Sequence, residues 1–176
     1  MTDHSRHPLV ALAVEAVEGF VRERRIIAPP DDFLERVPQA ARRAGAFVCL
    51  KARGQLRGCI GTTEPTRETL AVEIIENAVA AAARDPRFAP VSLEELFELA
   101  VTVDVLSEPE PVADATQLDH RRYGVIVRAG ARQGVLLPDL EQIESVQDQL
   151  ETARQKAGIG HSDRIELFRF EVVRYK

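Results

Sequence analysis

Two stretches of this chain repeat one pattern, and that repeat limits the fold more than any other feature of the sequence. Ala46-Phe47-Val48-Cys49-Leu50-Lys51 is strand-like, Ala52-Arg53-Gly54-Gln55 reads as a turn, and Leu56-Arg57-Gly58-Cys59-Ile60-Gly61 returns as a second strand. Tyr123 to Arg128, a turn at Gly130, and Gln133 to Pro138 repeat the pattern. Gly54 and Gly130 are 76 residues apart by subtraction of their numbers, and so are Gly58 and Gly134. A helical segment follows each hairpin. The first is expected to be capped by Thr66 and to run through Leu70, Ile74, Ala78 and Ala81 to Arg84; the second runs from Ser145 to Ala157 with Gly158 as its C-terminal cap. Each helix is followed by a strand, Leu99 to Leu106 and Arg164 to Phe170. Two hairpin–helix–strand units in tandem are expected to form a larger and a smaller lobe, approximately 1–111 and 112–176, in a single domain.

The rest of the chain supports these units. Leu9, Leu12, Ala13, Ala16, Val17, Phe20 and Val21 recur with helical spacing behind Pro8, which suits a first turn, so an amphipathic helix is expected from Pro8 to Arg25. Prolines at 29, 30 and 38 make the segment up to Gly45 a loop or a short helical turn. Ser92 and Glu95 form a capping box ahead of a short helix through Phe97. The polar segment Val112 to Arg122 is expected to be a mobile link between the halves.

Composition excludes several classes of function. No apolar run is long enough for a membrane span. A net charge of −5, 5% aromatic residues and no tryptophan argue against a nucleic-acid surface, which needs clustered cations and stacking rings. The start Met1-Thr2-Asp3-His4-Ser5-Arg6 shows no apolar export signal, so a cytoplasmic protein is expected, with Cys49 and Cys59 as free, reduced thiols.

The chemistry concentrates in Leu56 to Gly61. Simple strand alternation puts Leu56, Gly58 and Ile60 on one face, which is expected to be the core, and Arg57, Cys59 and Gly61 on the other. Arg57 beside Cys59 would favour thiolate over thiol, and Gly58 and Gly61 would let backbone N–H groups approach a ligand. Equally, a small cysteine in a strand is an ordinary core filler. Asn77 projects an amide from a mostly apolar helix face and needs a partner, either structural or ligand. Asp85-Pro86-Arg87-Phe88 ends that helix as a helix stop or as a charged rim of the site. The second hairpin has Gln133-Gly134-Val135 in place of Arg-Gly-Cys, so the chemistry is expected to be asymmetric on a pseudo-symmetric fold. Two cysteines ten positions apart, with no clustered histidine pair, lack metal-ligand spacing, and no cofactor is named by the sequence.

Leu56 to Gly61, Asn77, Asp85 to Phe88, Gly134-Val135-Leu136-Leu137-Pro138 and Lys156-Ala157-Gly158 together resemble the AMMECR-type domain family over almost the whole chain. The resemblance implies an α+β fold with two duplicated β/α units and a cleft between lobes. It also implies genomic association with a Memo-type protein and a radical SAM protein. The chain departs from the family pattern after Pro138, where Glu144-Ser145-Val146 replaces an aromatic stretch, and near Asp163, where a tryptophan commonly follows. Three functional readings stand side by side. In an enzyme or enzyme component, Cys59 is a thiolate with Arg57 as its electrostatic partner, and Gly58, Gly61, Asn77, Asp85 and Arg87 hold a small anionic molecule. In a non-catalytic binding module, the glycine backbone and Arg57 hold an anionic small molecule or a partner protein's tail. In a scaffold for the Memo-type and radical SAM partners, Cys59 only packs. The enzyme reading is expected to place Arg57, Cys59, Asn77 and Asp85 around one pocket.

Overall fold

The computed structural model describes residues 6–176; Met1 to Ser5, and with them most of the segment expected to lack an export signal, lie outside the described residues. Helix α1, Pro8–Glu23, starts where His7 caps it through Nδ1, which accepts the Leu9 N–H at 3.3 Å, and stops where Arg24 turns left-handed at φ 55°. A four-residue helix α2, Phe33–Arg36, and a 3-10 turn, Pro38–Ala41, lead into strands β1, Ala46–Ala52, and β2, Gln55–Gly61. Arg53 and Gly54 join these strands with φ of 51° and 80°, the two positive values that a tight two-residue hairpin turn demands. Helix α3 is Leu70–Ala83 and strand β3 is Leu99–Leu106. Strands β4, Glu110–Val112, β5, Gly124–Ala129, and β6, Arg132–Leu136, precede helix α4, Val146–Ala157, and the chain ends with strands β7, Glu166–Phe170, and β8, Val172–Tyr175. The segment expected to be a mobile link holds part of β4 and a 3-10 turn, Ala115–Gln117, capped by Asp114, whose carboxylate accepts the Thr116 N–H.

Thr69, not Thr66, caps α3, with its hydroxyl accepting the Val72 N–H. Thr66 serves the helix differently. Glu73, in the first turn and 1% exposed, accepts the N–H groups of Thr66 and Arg67 at 2.8 Å each, and the hydroxyls of Thr62 and Thr66 at 2.6 and 2.8 Å. A carboxylate carrying four donors needs no cation to be buried, and it fixes the loop after β2 onto the helix.

The two sheets have the same order. One runs β2-β1-β3-β8 and the other, read from the equivalent edge, β6-β5-β7-β4. Each helix covers the face of its own sheet that carries the apolar residues: α3 with α1 over Val48, Leu50 and Val103, and α4 over Val125, Val127 and Leu136. The expected duplication is visible atom by atom. Gly58 pairs with Leu50 and Gly134 with Val127. A Cβ on Gly58 would run into the Ala81 carbonyl of α3, and one on Gly134 into the Ala153 carbonyl of α4. One turn earlier in each helix, the Asn77 amide donates to the Ala46 carbonyl at 2.9 Å and the Gln149 amide donates to the Tyr123 carbonyl at 2.9 Å, each at the start of the first hairpin strand.

The fourth strands are exchanged. The chain leaves β3 to form β4 beside β7, and leaves β7 to form β8 beside β3. The compact units are therefore residues up to Val105 together with Val173–Lys176, and Leu106–Val172. The lobes expected as 1–111 and 112–176 divide differently because β8 carries no periodicity of its own in the sequence; it is defined by the strand it pairs with.

Two outcomes follow from this packing. Gly58→Ala and Gly134→Ala should each lower the midpoint of thermal unfolding by more than 5 °C, since helix backbone must move, whereas Gly130→Ala, at φ 58° with open space around it, should cost about 1 kcal/mol. For Glu73, burial alone would raise the pKa, but the Thr62 and Thr66 hydroxyls and the Arg67 and Thr66 N–H groups bring it below the ordinary glutamate value. Its folded pKa is thus lower than its unfolded one, so its contribution is present above about pH 4.3 and fades as pH falls through the folded value. Denaturant unfolding between pH 7 and pH 3 should show Glu73→Gln less stable than wild type at pH 7 by about 1–3 kcal/mol, with the gap narrowing in acid; a gap independent of pH would contradict the assignment.

Candidate functional site

Strand β2 does not keep simple alternation. Lys51 pairs with Leu56 but Leu50 pairs with Gly58, so Arg57 is an extra residue without an opposite number, a β-bulge. The bulge reverses the faces on its two sides. Gly58 and Ile60 face the core as expected, while Leu56, expected there too, is 41% exposed. Beyond the bulge Cys59 stands opposite Cys49, and their sulfurs are joined in a disulfide with Cα atoms 4.1 Å apart. The expectation of free thiols is corrected: both cysteines are in the bridge, so in this state Cys59 is not a thiolate. The bridge lies on the sheet face opposite α3, half-buried, with Phe47 and Gly61 to one side and Thr102 of β3 next to Cys49. The second unit has Ile126 opposite Val135 in the equivalent position.

Arg57 is pinned. Its Nε and Nη2 donate to both Glu95 carboxylate oxygens at 2.5 and 2.9 Å, and Nη1 and Nη2 donate to the Ala89 and Pro90 carbonyls at 2.9 and 3.3 Å. Glu95 also accepts the Ser92 N–H at 2.8 Å, which is half of the expected capping box turned to hold Arg57. The Glu95 hydrogen bonds raise the Arg57 pKa, and Arg57 in turn lowers that of Glu95. The guanidinium expected to serve as an anion clamp thus ties the bulge to the segment that follows α3.

Asp85 and Arg87 finish the free edge of β2. The Cys59 N–H donates to Asp85 Oδ2 at 2.9 Å, and the Cys59 carbonyl accepts from Arg87 Nη2 at 3.3 Å. The two side chains supply the acceptor and donor that a neighbouring strand would have supplied, which blocks strand addition at this edge. Arg87 Nη2 also donates to Asp85 Oδ2 at 2.7 Å, and this contact, with the Cys59 and Arg87 N–H groups, holds the Asp85 carboxyl well below the usual range despite its burial. Arg57 and Arg87 both lie against the Phe88 ring, 5.9 and 5.4 Å from its centroid. In the second unit the matching edge carbonyl, of Val135, accepts from Lys156 Nζ at 3.1 Å.

The structure therefore brings together Arg57, Cys59, Asp85 and Arg87 of the expected set, and adds Cys49, Phe88 and Glu95. Asn77 belongs to α3 on the opposite face of the sheet, where its amide holds the Ala46 carbonyl; the single pocket around Arg57, Cys59, Asn77 and Asp85 does not form. Gly58 and Gly61 have no positive φ, and the space they leave is taken by protein: the Ala81 carbonyl above Gly58, and the Phe47 ring with the Ala46 carbonyl beside Gly61. Cys49 becomes the partner of Cys59 only through the bulge at Arg57, which strand alternation in the sequence does not signal. Among the described residues no group of His, Cys, Asp and Glu could hold a metal ion, and no helix is long and apolar enough to cross a membrane.

The AMMECR1 family model matches residues 10–175. A Thermotoga maritima protein is 51% identical over 172 residues, which are 97% of this chain and 98% of that protein. A Clostridium acetobutylicum protein is 41% identical over 97% of this chain, but the match spans only 36% of that longer protein. The crystal structure of a Pyrococcus horikoshii protein has the same fold, with a TM-score of 0.85 at 31% identity over 94% of this chain and 88% of that one. With the same α+β fold and a match that runs nearly end to end, this chain belongs to the AMMECR1 family.

Proposed function

We propose that this domain is a redox component of a larger enzyme system, working through the Cys49–Cys59 pair as it alternates between disulfide and dithiol. The observation that carries the reading is internal to the chain. The same hairpin occurs twice, and the second copy fills the equivalent cross-strand position with Ile126 and Val135. The architecture thus folds with an ordinary apolar pair there, and two sulfurs in the first copy are chemistry that the fold does not require. The half-buried setting suits exchange, since reduction of a disulfide needs access for an attacking thiolate. The cycle balances with a thiol donor: the disulfide takes two electrons and two protons from two donor thiols, which leave as a disulfide.

This reading revises the enzyme-component expectation. Cys59 remains the central residue but with Cys49 as its partner, while Arg57, with its guanidinium engaged by Glu95, Ala89 and Pro90, shapes the bulge that brings the sulfurs face to face. Arg87, whose side chain is 53% exposed, is the cation that would meet a small anionic molecule at this edge. The Memo-type and radical SAM proteins implied by the family resemblance are the partners in which to seek the electron donor or acceptor, in a reducing compartment where the dithiol state is reached.

The test is a redox titration of the purified native protein in thiol–disulfide buffers, with iodoacetamide labelling read by mass. Two thiols should appear together at a defined midpoint, without loss of the folded circular dichroism signal, and close again on reoxidation. The dithiol form should be less stable than the disulfide form by about 2–3 kcal/mol, as expected for opening a short cross-linked loop. Thiols that appear only after denaturation would make the bridge purely structural and overturn the reading.

A further inference from the structure

We infer that Cys59 is the sulfur through which this pair exchanges with its redox partner, and that Cys49 is the leaving and resolving thiol. The inference rests on the redox reading above and assigns the direction of its chemistry. Thiol–disulfide exchange proceeds by in-line displacement: the attacking thiolate must approach one sulfur from the side opposite the other. The bridge runs across the hairpin between directly opposed residues, Cys49 on β1 and Cys59 on β2, so its two in-line approaches lie on its two flanks within the sheet. They are not equivalent. β1 is an interior strand, and β3 lies beyond it with Thr102 directly opposite Cys49 on the same face, so the line behind the Cys49 sulfur runs over a neighbouring strand. β2 is the edge strand, and among the described residues no further strand lies beyond it. The line behind the Cys59 sulfur leaves the sheet there.

What stands at that edge suits an incoming thiolate. The Asp85 carboxylate is turned inward, 2% exposed, and is occupied by the Cys59 N–H and by Arg87, while the Arg87 side chain is 53% exposed. Of the paired charges beside Cys59, the positive member therefore faces the approach and the negative one is withdrawn. Arg57, also against the Phe88 ring, keeps its guanidinium on Glu95. Lys51, exposed on β1, adds a further positive charge on the outer face of the hairpin. The Asp85 and Arg87 contacts also hold the Cys59 backbone on both its N–H and its carbonyl, so this residue stays in place while its sulfur changes partner.

Written out, a donor thiolate attacks the Cys59 sulfur, a donor–Cys59 disulfide forms, the Cys59–Cys49 bond breaks and the electron pair leaves on Cys49, which takes a proton from solvent. A second donor thiol then displaces Cys59 from the mixed disulfide, leaving the donor oxidised and the protein as dithiol. In the reverse direction a partner disulfide is attacked by Cys59, and Cys49 resolves the mixed disulfide.

Trapping decides the matter without any mutation. Native oxidised protein is treated with limiting 2-mercaptoethanol in the presence of iodoacetamide and quenched in acid, and its peptides are then mapped by mass. The expected product carries mercaptoethanol on Cys59 and carbamidomethyl on Cys49, in at least tenfold excess over the reverse adduct. An equal mixture, or mercaptoethanol mainly on Cys49, would overturn this inference and leave the redox reading standing. No adduct under native conditions, with both adducts appearing in denaturant, would remove the redox reading and this inference with it.

Discussion

The backbone of α3 lies on Gly58, and much of the first unit depends on that contact. Where a Cβ would stand, the Ala81 carbonyl stands instead, so the helix sits closer to the strand than any side chain would allow. That fixes where α3 ends relative to β2: four residues after Ala81, Asp85 reaches the free edge of the strand at Cys59 and accepts its N–H. The following residues run on beside the hairpin, where Arg57 holds them through the Ala89 and Pro90 carbonyls and through Glu95. One absent methyl group thus sets the helix position, the helix position sets the edge pair Asp85–Arg87, and the edge pair holds the backbone of Cys59, one half of the disulfide.

The second unit is a comparison built into the same chain. It keeps the glycine under the helix, the helix amide bonded to the start of the hairpin, and a cation on the edge carbonyl. It lacks the sulfurs, having Ile126 and Val135. What the two copies share is what a helix packed closely on a hairpin requires; what only the first copy has is where function is to be sought. The exchange of fourth strands adds a topological consequence, since each sheet is completed by chain that follows the other sheet's third strand. The two sheets are therefore linked by two chain crossings rather than one.

The duplicated hairpin–helix–strand pattern was legible in the sequence because it is written in local signals: turn glycines, strand alternation, a serine cap and a C-terminal glycine. Gly58 and Gly134 were visible as equivalent, and the asymmetry between Arg-Gly-Cys and Gln-Gly-Val followed from reading them side by side. Other features were fixed only by partners distant in the chain. β8 and β4 are strands because of the strands they pair with, and Asn77 faces the Ala46 carbonyl because of where α3 packs. The face of Leu56 and the pairing of the cysteines turned on one residue. Counting back from the Arg53-Gly54 turn without a bulge sets Cys49 opposite Gly58; the extra residue at Arg57 moves Cys59 into that place. Strand periodicity cannot report such an insertion, because the bulge is stabilised by the tertiary grip of Glu95, Ala89 and Pro90 on Arg57. The sequence by itself determined the two units and the stretch in which an arginine, a cysteine and two glycines concentrate; the tertiary structure decided that Cys59 faces a second sulfur, since only the register shift that Glu95, Ala89 and Pro90 hold at Arg57 could bring the two together.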